Sequence, residues 1–476
     1  MLRRCFLRSL AAAPAAGLVE AVAWQRGGGM AAAEPFKPVD EANTPIGAAK
    51  GIHPGRVVWA RDAKATSWDG ATGHWWDDAY TDQKAVHQMT SRVALELTGQ
   101  KNEKQAWDAL FRSFNETHKL GRAGYRPGEK IAIKINCNQD RSPEWGVSAP
   151  PSGRAPGGAP QGRGPGGDAR GGPPPGRGGG PPRGALNGLP SPHAVVALVT
   201  QLIHAGVRGE DIMVYDTTGQ RNVGQPIFTR IRANADKQFQ AVQFLVGTDY
   251  DLGGRLSATP DMANPIQFSK QGVPAAYLAK QVTEAKYMIN MALLRPHGMA
   301  GVTLIGKNHF GSVHFPNDGG WSPRALHANV MRTLPMGSYN ALVDLMGHRH
   351  LGGKTMLYVL DGLYSAAHNE GNVIKWASFD DHWASSILMS QDPVAIDSVG
   401  LDILRNEPRA TEVRGSADNY LHEAALAPKP PSGTTYQPDS RGTLASLGVH
   451  EHWNDAAARK YSRNLGRKEG IELITC

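Results

Sequence analysis

The sequence predicts an α/β protein with a mostly parallel sheet flanked by helices. Three observations carry that prediction. Apolar runs of strand length recur between residues 56 and 390. Longer stretches with apolar residues at helical spacing lie between them. Several runs stop abruptly at a charged residue or a glycine cluster, as strands do at the C-terminal edge of a parallel sheet.

The elements follow in order. Residues 34–50 read as an extended lead-in, and Arg56–Ala60 as a first strand. A Trp-rich loop comes next, with Trp68, His74, Trp75, Trp76, Asp77 and Asp78. Such tryptophans line a ligand cleft or, more often, cap a core. Thr81 or Asp82 supplies a cap for a helix to about Leu97. A second helix, Glu103–His118, carries Trp107, Leu110, Phe111 and Phe114 on one face. Lys130–Cys137 is a clear strand. Residues 149–184 are almost entirely Gly, Pro, Ala and Arg, so they have nothing to bury and are expected to be a disordered insertion. The next helix starts near Ser191, with Pro192 at its first position, and runs to about Ala205. Strands are expected at Asp211–Asp216, Val242–Val246, Lys286–Met291, Met356–Asp361 and Ile387–Ser390. Helices are expected near Pro226–Asn234, Ser338–Gly347 and Pro393–Leu404. A further apolar run, Val302–Ile305, reads as a strand that delivers Gly306, Lys307 and Asn308.

The start of the chain, MLRRCFLRSLAAAPAAGLVEAVA, fits a twin-arginine export signal: Arg3, Arg4 and Arg8, then a mildly apolar stretch and small residues. The expected organisation is an export signal over 1–33 and the N-terminal part of the α/β domain with its Trp-rich loop over 34–148. The Gly/Pro/Arg-rich insertion takes 149–188, the main domain 189–410, and a C-terminal extension packed on it 411–476. No later apolar run is long enough to span a bilayer, so the expected location is the periplasm or another exported compartment. The net charge of +8 is concentrated in the signal and the insertion. The remainder is close to neutral, which argues against nucleic acid as a partner. Of three cysteines, Cys5 leaves with the signal. Cys137 and Cys476 cannot hold an iron–sulfur cluster, so none is expected on this chain. They pair in one disulfide or stay free, the latter being favoured.

Five ordered blocks carry a family resemblance: GEKIAIKINCN at 128–138, SPHAVVALVTQLIHAGVRGEDIMVYDTTG at 191–219, YMINMALLRPHGMAGVTLIGKNHFG at 287–311, MLYVLDGLYSAAHNEG at 356–371, and ILMSQDPVAIDSVGLDIL at 387–404. The chain resembles the domain of unknown function 362 family. The resemblance implies an α/β fold. It also implies that the family's characteristic positions fall on Lys134, Asn136, His297, Thr303, Lys307, Asn308, Asp361, Asp392 and Asp397. Many relatives carry iron–sulfur ferredoxin modules, which implies redox chemistry. This chain lacks the cysteines, so an electron-transfer role would need a separate redox partner.

The residues themselves define the chemistry on offer. Lys134 and Asn136 lie two apart on a strand and face one side, with Ile131, Ile133 and Ile135 on the other. Lys134 contacts a phosphate or carboxylate, or pairs with a structural Asp such as Asp216 or Asp361. Arg295, His297, Lys307 and Asn308 cluster among Gly298, Gly301, Gly306 and Gly311, which suits a small anionic ligand. In this reading Lys134, Asn136, Arg295, Thr303 and Asn308 hold the ligand or cofactor, and His297, Lys307 and Asp361 are catalytic. Asp216, Asp361 and Asp397 would hold a divalent metal if one is used; the cofactor is otherwise unspecified. Asp392, before Pro393, caps a helix. The other histidines, His309, His314, His327, His348, His350, His368 and His382, read mainly as surface residues. The resulting expectation is an exported protein with a small-molecule or metal site at the strand ends. It acts either as a cofactor-dependent redox enzyme or as a non-catalytic binding protein or assembly factor. No GxGxxG opens a helix after a strand, and no P-loop or GxSxG motif is present to specify a reaction.

Overall fold

A computed structural model describes residues 37–137, 190–218, 224–247, 254–369 and 371–476. The export signal and the Gly/Pro/Arg-rich insertion expected from the sequence lie outside the described residues.

Among the described residues, nine strands form one sheet. In chain order they are β1 (Arg56–Arg61), β2 (Ile131–Lys134), β3 (Ile212–Asp216), β4 (Gln243–Val246), β5 (Leu256–Ser257), β6 (Tyr287–Leu293), β7 (Thr355–Gly362), β8 (Ser386–Ser390) and β9 (Glu472–Thr475). Across the sheet the order is β9-β1-β8-β7-β6-β2-β3-β4-β5. β8 pairs antiparallel with β7 and β1. Every other pairing is parallel. The mostly parallel α/β prediction therefore holds. No described helix is long and apolar enough to cross a membrane.

The helices are α1 (Gln83–Thr98), α2 (Glu103–Thr117), α3 (Pro192–His204), α4 (Gln225–Arg232), α5 (Ile305–Asn308), α6 (Ala341–Gly347), α7 (Pro393–Arg405) and α8 (Asn419–Ala425), with two further five-residue ones at Lys237–Ala241 and Lys280–Glu284. Their starts obey local chemistry. Asp82 accepts from the backbone N–H of Lys84 and Ala85 to open α1, and Gly99 closes it at φ 66°. Asn102 opens α2 in the same way. Asp392 accepts from Val394 N and Ala395 N ahead of Pro393, the capping role expected of it.

The period-two alternation of the strands divides the core into two layers. On one face Ile131, Ile133, Val214, Tyr287, Ile289 and Val359 pack with α1, α2 and α3; on the other Ala132, Tyr215, Met288, Ala292 and Leu360 pack beneath α5 to α8. Trp68 and Trp75 are buried in the first layer. Trp68 stacks on Trp383 at 5.7 Å.

One expected element is different. Val302–Ile305 is not a strand: Gly301–Val302 makes a two-residue ladder with Pro296–His297, and the chain then turns into α5. Asp397, reaching over from α7, accepts from Ile305 N at 2.8 Å and Gly306 N at 2.9 Å. A carboxylate on the first free N–H groups favours a helical turn over a strand. β2 likewise ends at Lys134 rather than Cys137, because Cys137 N leaves the ladder for the Asp216 carboxylate at 2.9 Å.

Candidate functional site: a buried cationic cluster at the strand ends

β7, β6, β2 and β3 are neighbours and parallel, so their C-terminal ends lie side by side. That edge brings together Asp361 on β7, Arg295 just past β6, Lys134 on β2 and Asp216 at the end of β3. α5 then carries Lys307 and Asn308 across it.

Lys134 is buried and paired. Its Nζ lies 3.2 Å from Asp216 Oδ2 and donates to Asn308 Oδ1 at 3.2 Å and to Ile135 O. Asp216 also accepts from Cys137 N and, at 2.8 Å, from Thr218 N. Asn308 donates to Asn290 Oδ1 at 2.7 Å and to Met291 O at 3.1 Å. Asn290 in turn donates to Ile305 O and to His309 Nε2, both at 3.1 Å. A buried charge needs an opposite charge and full hydrogen bonding, and this network supplies both. Gly311 is required beside it: a Cβ there would meet Lys134 Nζ at 2.5 Å and both Asp216 oxygens at 2.8 Å.

The neighbouring group is different in kind. Arg295 is fully buried and donates from Nη2 to Asn136 Oδ1 at 2.8 Å. Lys307 is only 6% exposed, and its Nζ sits 3.2 Å from the centroid of the Phe310 ring. Among the described residues no carboxylate pairs with it. Burial, then Arg295, hold its ammonium well below the usual lysine range. His297 Nδ1 accepts from Met299 N at 3.2 Å and Ala300 N at 3.3 Å, so Nε2 carries the proton. Burial, then Lys307 and Arg295, depress its imidazole to about 2. His297 is therefore a neutral hydrogen-bond donor at physiological pH, not an acid–base group poised near 7. Thr303 Oγ1 is buried without a hydrogen-bond partner among the described residues.

The acids go elsewhere. Asp361 accepts from Ser191 N at 2.5 Å and Leu363 N at 3.0 Å, and burial raises it to about 6. Asp397 serves α5 and Tyr420 Oη (2.9 Å), and burial raises it to about 7. Among the described residues Asp216, Asp361 and Asp397 do not assemble as a set of metal ligands; the group of three with that spacing is Asp40, His450 and His452.

Several neighbours of the cluster carried no motif in the sequence. Asn369 accepts from Gly298 N at 3.1 Å. Glu412, 3.1 Å from His368, also flanks Gly298. Asn290 was legible as the one polar residue inside the run Tyr287–Leu294. Of the scattered histidines, His309 and His348 are buried rather than on the surface. His309 is fixed by Asn290. His348 N donates to Asp344 O at 2.9 Å, just past the end of α6. Cys137 and Cys476 are not joined to each other. Two open clefts, of about 370 and 1260 Å³, lie apart from the cluster: Lys50, Tyr358 and Arg441 line one, and His74, Trp76 and Arg230 the other.

Residues 190–402 match the family model described as Domain of unknown function (DUF362). This match covers Arg295, His297, Thr303, Lys307, Asn308, Asp216, Asp361 and Asp397. Lys134 and Asn136 reach the DUF362 segment from β2 and the turn after it. No curated protein matches the chain.

Proposed function

We propose that the protein is an exported binding protein that holds a small carboxylate- or phosphate-bearing ligand against Lys307, Arg295 and His297. The observation that carries this reading is that Lys307 is buried beside Arg295 and a neutral His297 with no described carboxylate paired to it. Two cations and an N–H donor facing inward favour an anion, which would offset their mutual repulsion. The histidine also lacks a described carboxylate partner, which favours binding over a His–carboxylate proton relay. Export rests on the Arg3–Arg8 start. A redox role, implied by the family resemblance, would require a separate electron-transfer partner.

Titrating inorganic phosphate and a dicarboxylate by calorimetry tests the proposal. An anion beside Lys307 favours its ammonium form, and heats taken in buffers of different ionisation enthalpy read any proton taken up on binding. Lys307→Met should weaken binding by roughly 10–100-fold, as loss of a charge-assisted hydrogen bond does. A folded Lys307→Met variant that binds as tightly as the parent overturns the assignment.

A further inference from the structure

A second constellation lies between the lead-in and the C-terminal segment. His450 sits on a two-residue strand, Val449–His450, paired antiparallel with Ile46–Gly47. His452 follows it, His422 stands on α8, and Asp40 comes from the lead-in. His450 and His452 are 1% and 2% exposed. The rings of His422 and His450 lie 4.8 Å apart, and those of His450 and His452 4.9 Å.

Hydrogen accounting fixes which ring nitrogens face inward. Ser398 Oγ gives its single hydrogen to Val394 O at 2.7 Å. It must therefore accept from His450 Nδ1 at 2.8 Å, which leaves His450 Nε2 as the lone-pair side. Asp402 Oδ1 accepts from His452 Nδ1 at 2.7 Å, which turns Nε2 inward, 3.8 Å from Asp418 Oδ2. Asp402 is itself held, through Oδ2, by Trp453 N at 3.0 Å and Tyr461 Oη at 2.9 Å. Ser398 and Asp402 are four apart on α7, so one helix face orients both rings. His450 Nε2 is buried without a hydrogen-bond partner. Asp40 Oδ2 stands 2.6 Å from His422 Nε2 and 3.9 Å from His450 Nε2. The ligand atoms of Asp40, His450 and His452 lie within 4.8 Å of one another.

We propose that Asp40, His450 and His452 bind a divalent transition-metal ion of the Zn²⁺ class. Imidazole with a single carboxylate suits Zn²⁺ and its neighbours, whereas Ca²⁺ and Mg²⁺ demand oxygen ligands. Ligand atoms around tetrahedral Zn²⁺ stand roughly 3.3 Å apart, from Zn–N and Zn–O lengths near 2.0–2.1 Å, so the group closes by modest side-chain movement. The Ser398 and Asp402 contacts are the outer partners that metal-bound histidines require. The ion ties the lead-in to the C-terminal segment across α7. This site involves none of the strand-end cluster.

The test uses full-length protein, stripped with a chelator and titrated with Zn²⁺, with metal counted by elemental analysis and affinity read by chelator competition. One equivalent should bind and raise the melting temperature, and Co²⁺ in its place should give the absorption of a tetrahedral site. Asp40→Asn, at a partly exposed position, should fold and lose affinity at least about tenfold; Asp402→Asn should lose about 10–100-fold. Lys307→Met should leave Zn²⁺ binding unchanged, which separates this site from the anion cluster. Failure of the parent protein to bind stoichiometric Zn²⁺ overturns the proposal, as does unaltered affinity in both Asp40→Asn and His452→Gln.

Discussion

Gly311→Ala isolates the energetics of the buried Lys134–Asp216 pair. The backbone at Gly311 has φ −77° and ψ 17°, a conformation alanine adopts freely, so no backbone strain enters. Only the added methyl acts. It would stand 2.5 Å from Lys134 Nζ and 2.8 Å from each Asp216 oxygen, against an ordinary contact of roughly 3.4 Å or more. One partner must retreat by most of an ångström. Asp216 is pinned by Cys137 N and Thr218 N, so the lysine moves, and it is held in turn by Asn308 and Ile135. Overpacking alone costs about 1–3 kcal/mol, and severing a buried pair about 3–5 kcal/mol. The expected loss is about 2–5 kcal/mol, read as a lower urea-unfolding midpoint. A Gly311→Ala protein within about 0.5 kcal/mol of the parent, the range of inert substitutions, would refute the close approach that the argument rests on.

Asp397→Ala should leave Ile305 N, Gly306 N and Tyr420 Oη without their acceptor, at about 1–3 kcal/mol each. Both the melting temperature and phosphate affinity should fall, because Lys307 rides on the turn that Asp397 caps; calorimetry that finds binding intact in a destabilised protein would uncouple the two. His309 gives a pH dependence. Burial, then Lys134, lower its imidazole from 6.5 to about 3, and Asn290 donates to its Nε2, so protonation in the folded state sets donor against donor. The unfolded chain takes up the proton first as pH falls. The contribution is complete above pH 6.5 and declines from there towards pH 3, by up to about 1.4 kcal/mol per pH unit. His309→Gln should flatten the slope of urea midpoints between pH 7.5 and 5.5, and an unaltered slope counts against this account.

The fold was legible where local chemistry decides. Asp82, Pro192 and Asp392 mark helix starts that the structure repeats, and the apolar runs ending at Asp216, Leu293 and Asp361 are the central strands. It was not legible where a distant residue decides. Val302–Ile305 looks like a strand until Asp397, on another helix, supplies a carboxylate to its last backbone N–H groups. β5 and β9 have two and four residues, too short for a period to register. At the site, Arg295, His297 and Lys307 lie together, while Asn308 joins the Lys134 network. The division of labour was invisible: spacing cannot distinguish Lys134, paired with Asp216, from Lys307, set against an aromatic ring. The carboxylates misled for a related reason, since acids closing neighbouring strands read as one metal site but each answers to its own backbone donors. His450 and His452 stand in no motif, and their meaning depends on a helix fifty residues earlier.

β1 is flanked by β8 and β9, and Arg56 meets Glu472 across 416 residues of chain. During synthesis at about 5–20 residues per second, β1 therefore waits roughly 20–80 s for its last neighbour. Through that interval an apolar strand, Val57–Ala60, presents bare backbone to the cell. Its protection is a matter of timing, and any chain halted short of residue 472 would leave that edge open to whatever strand arrives next.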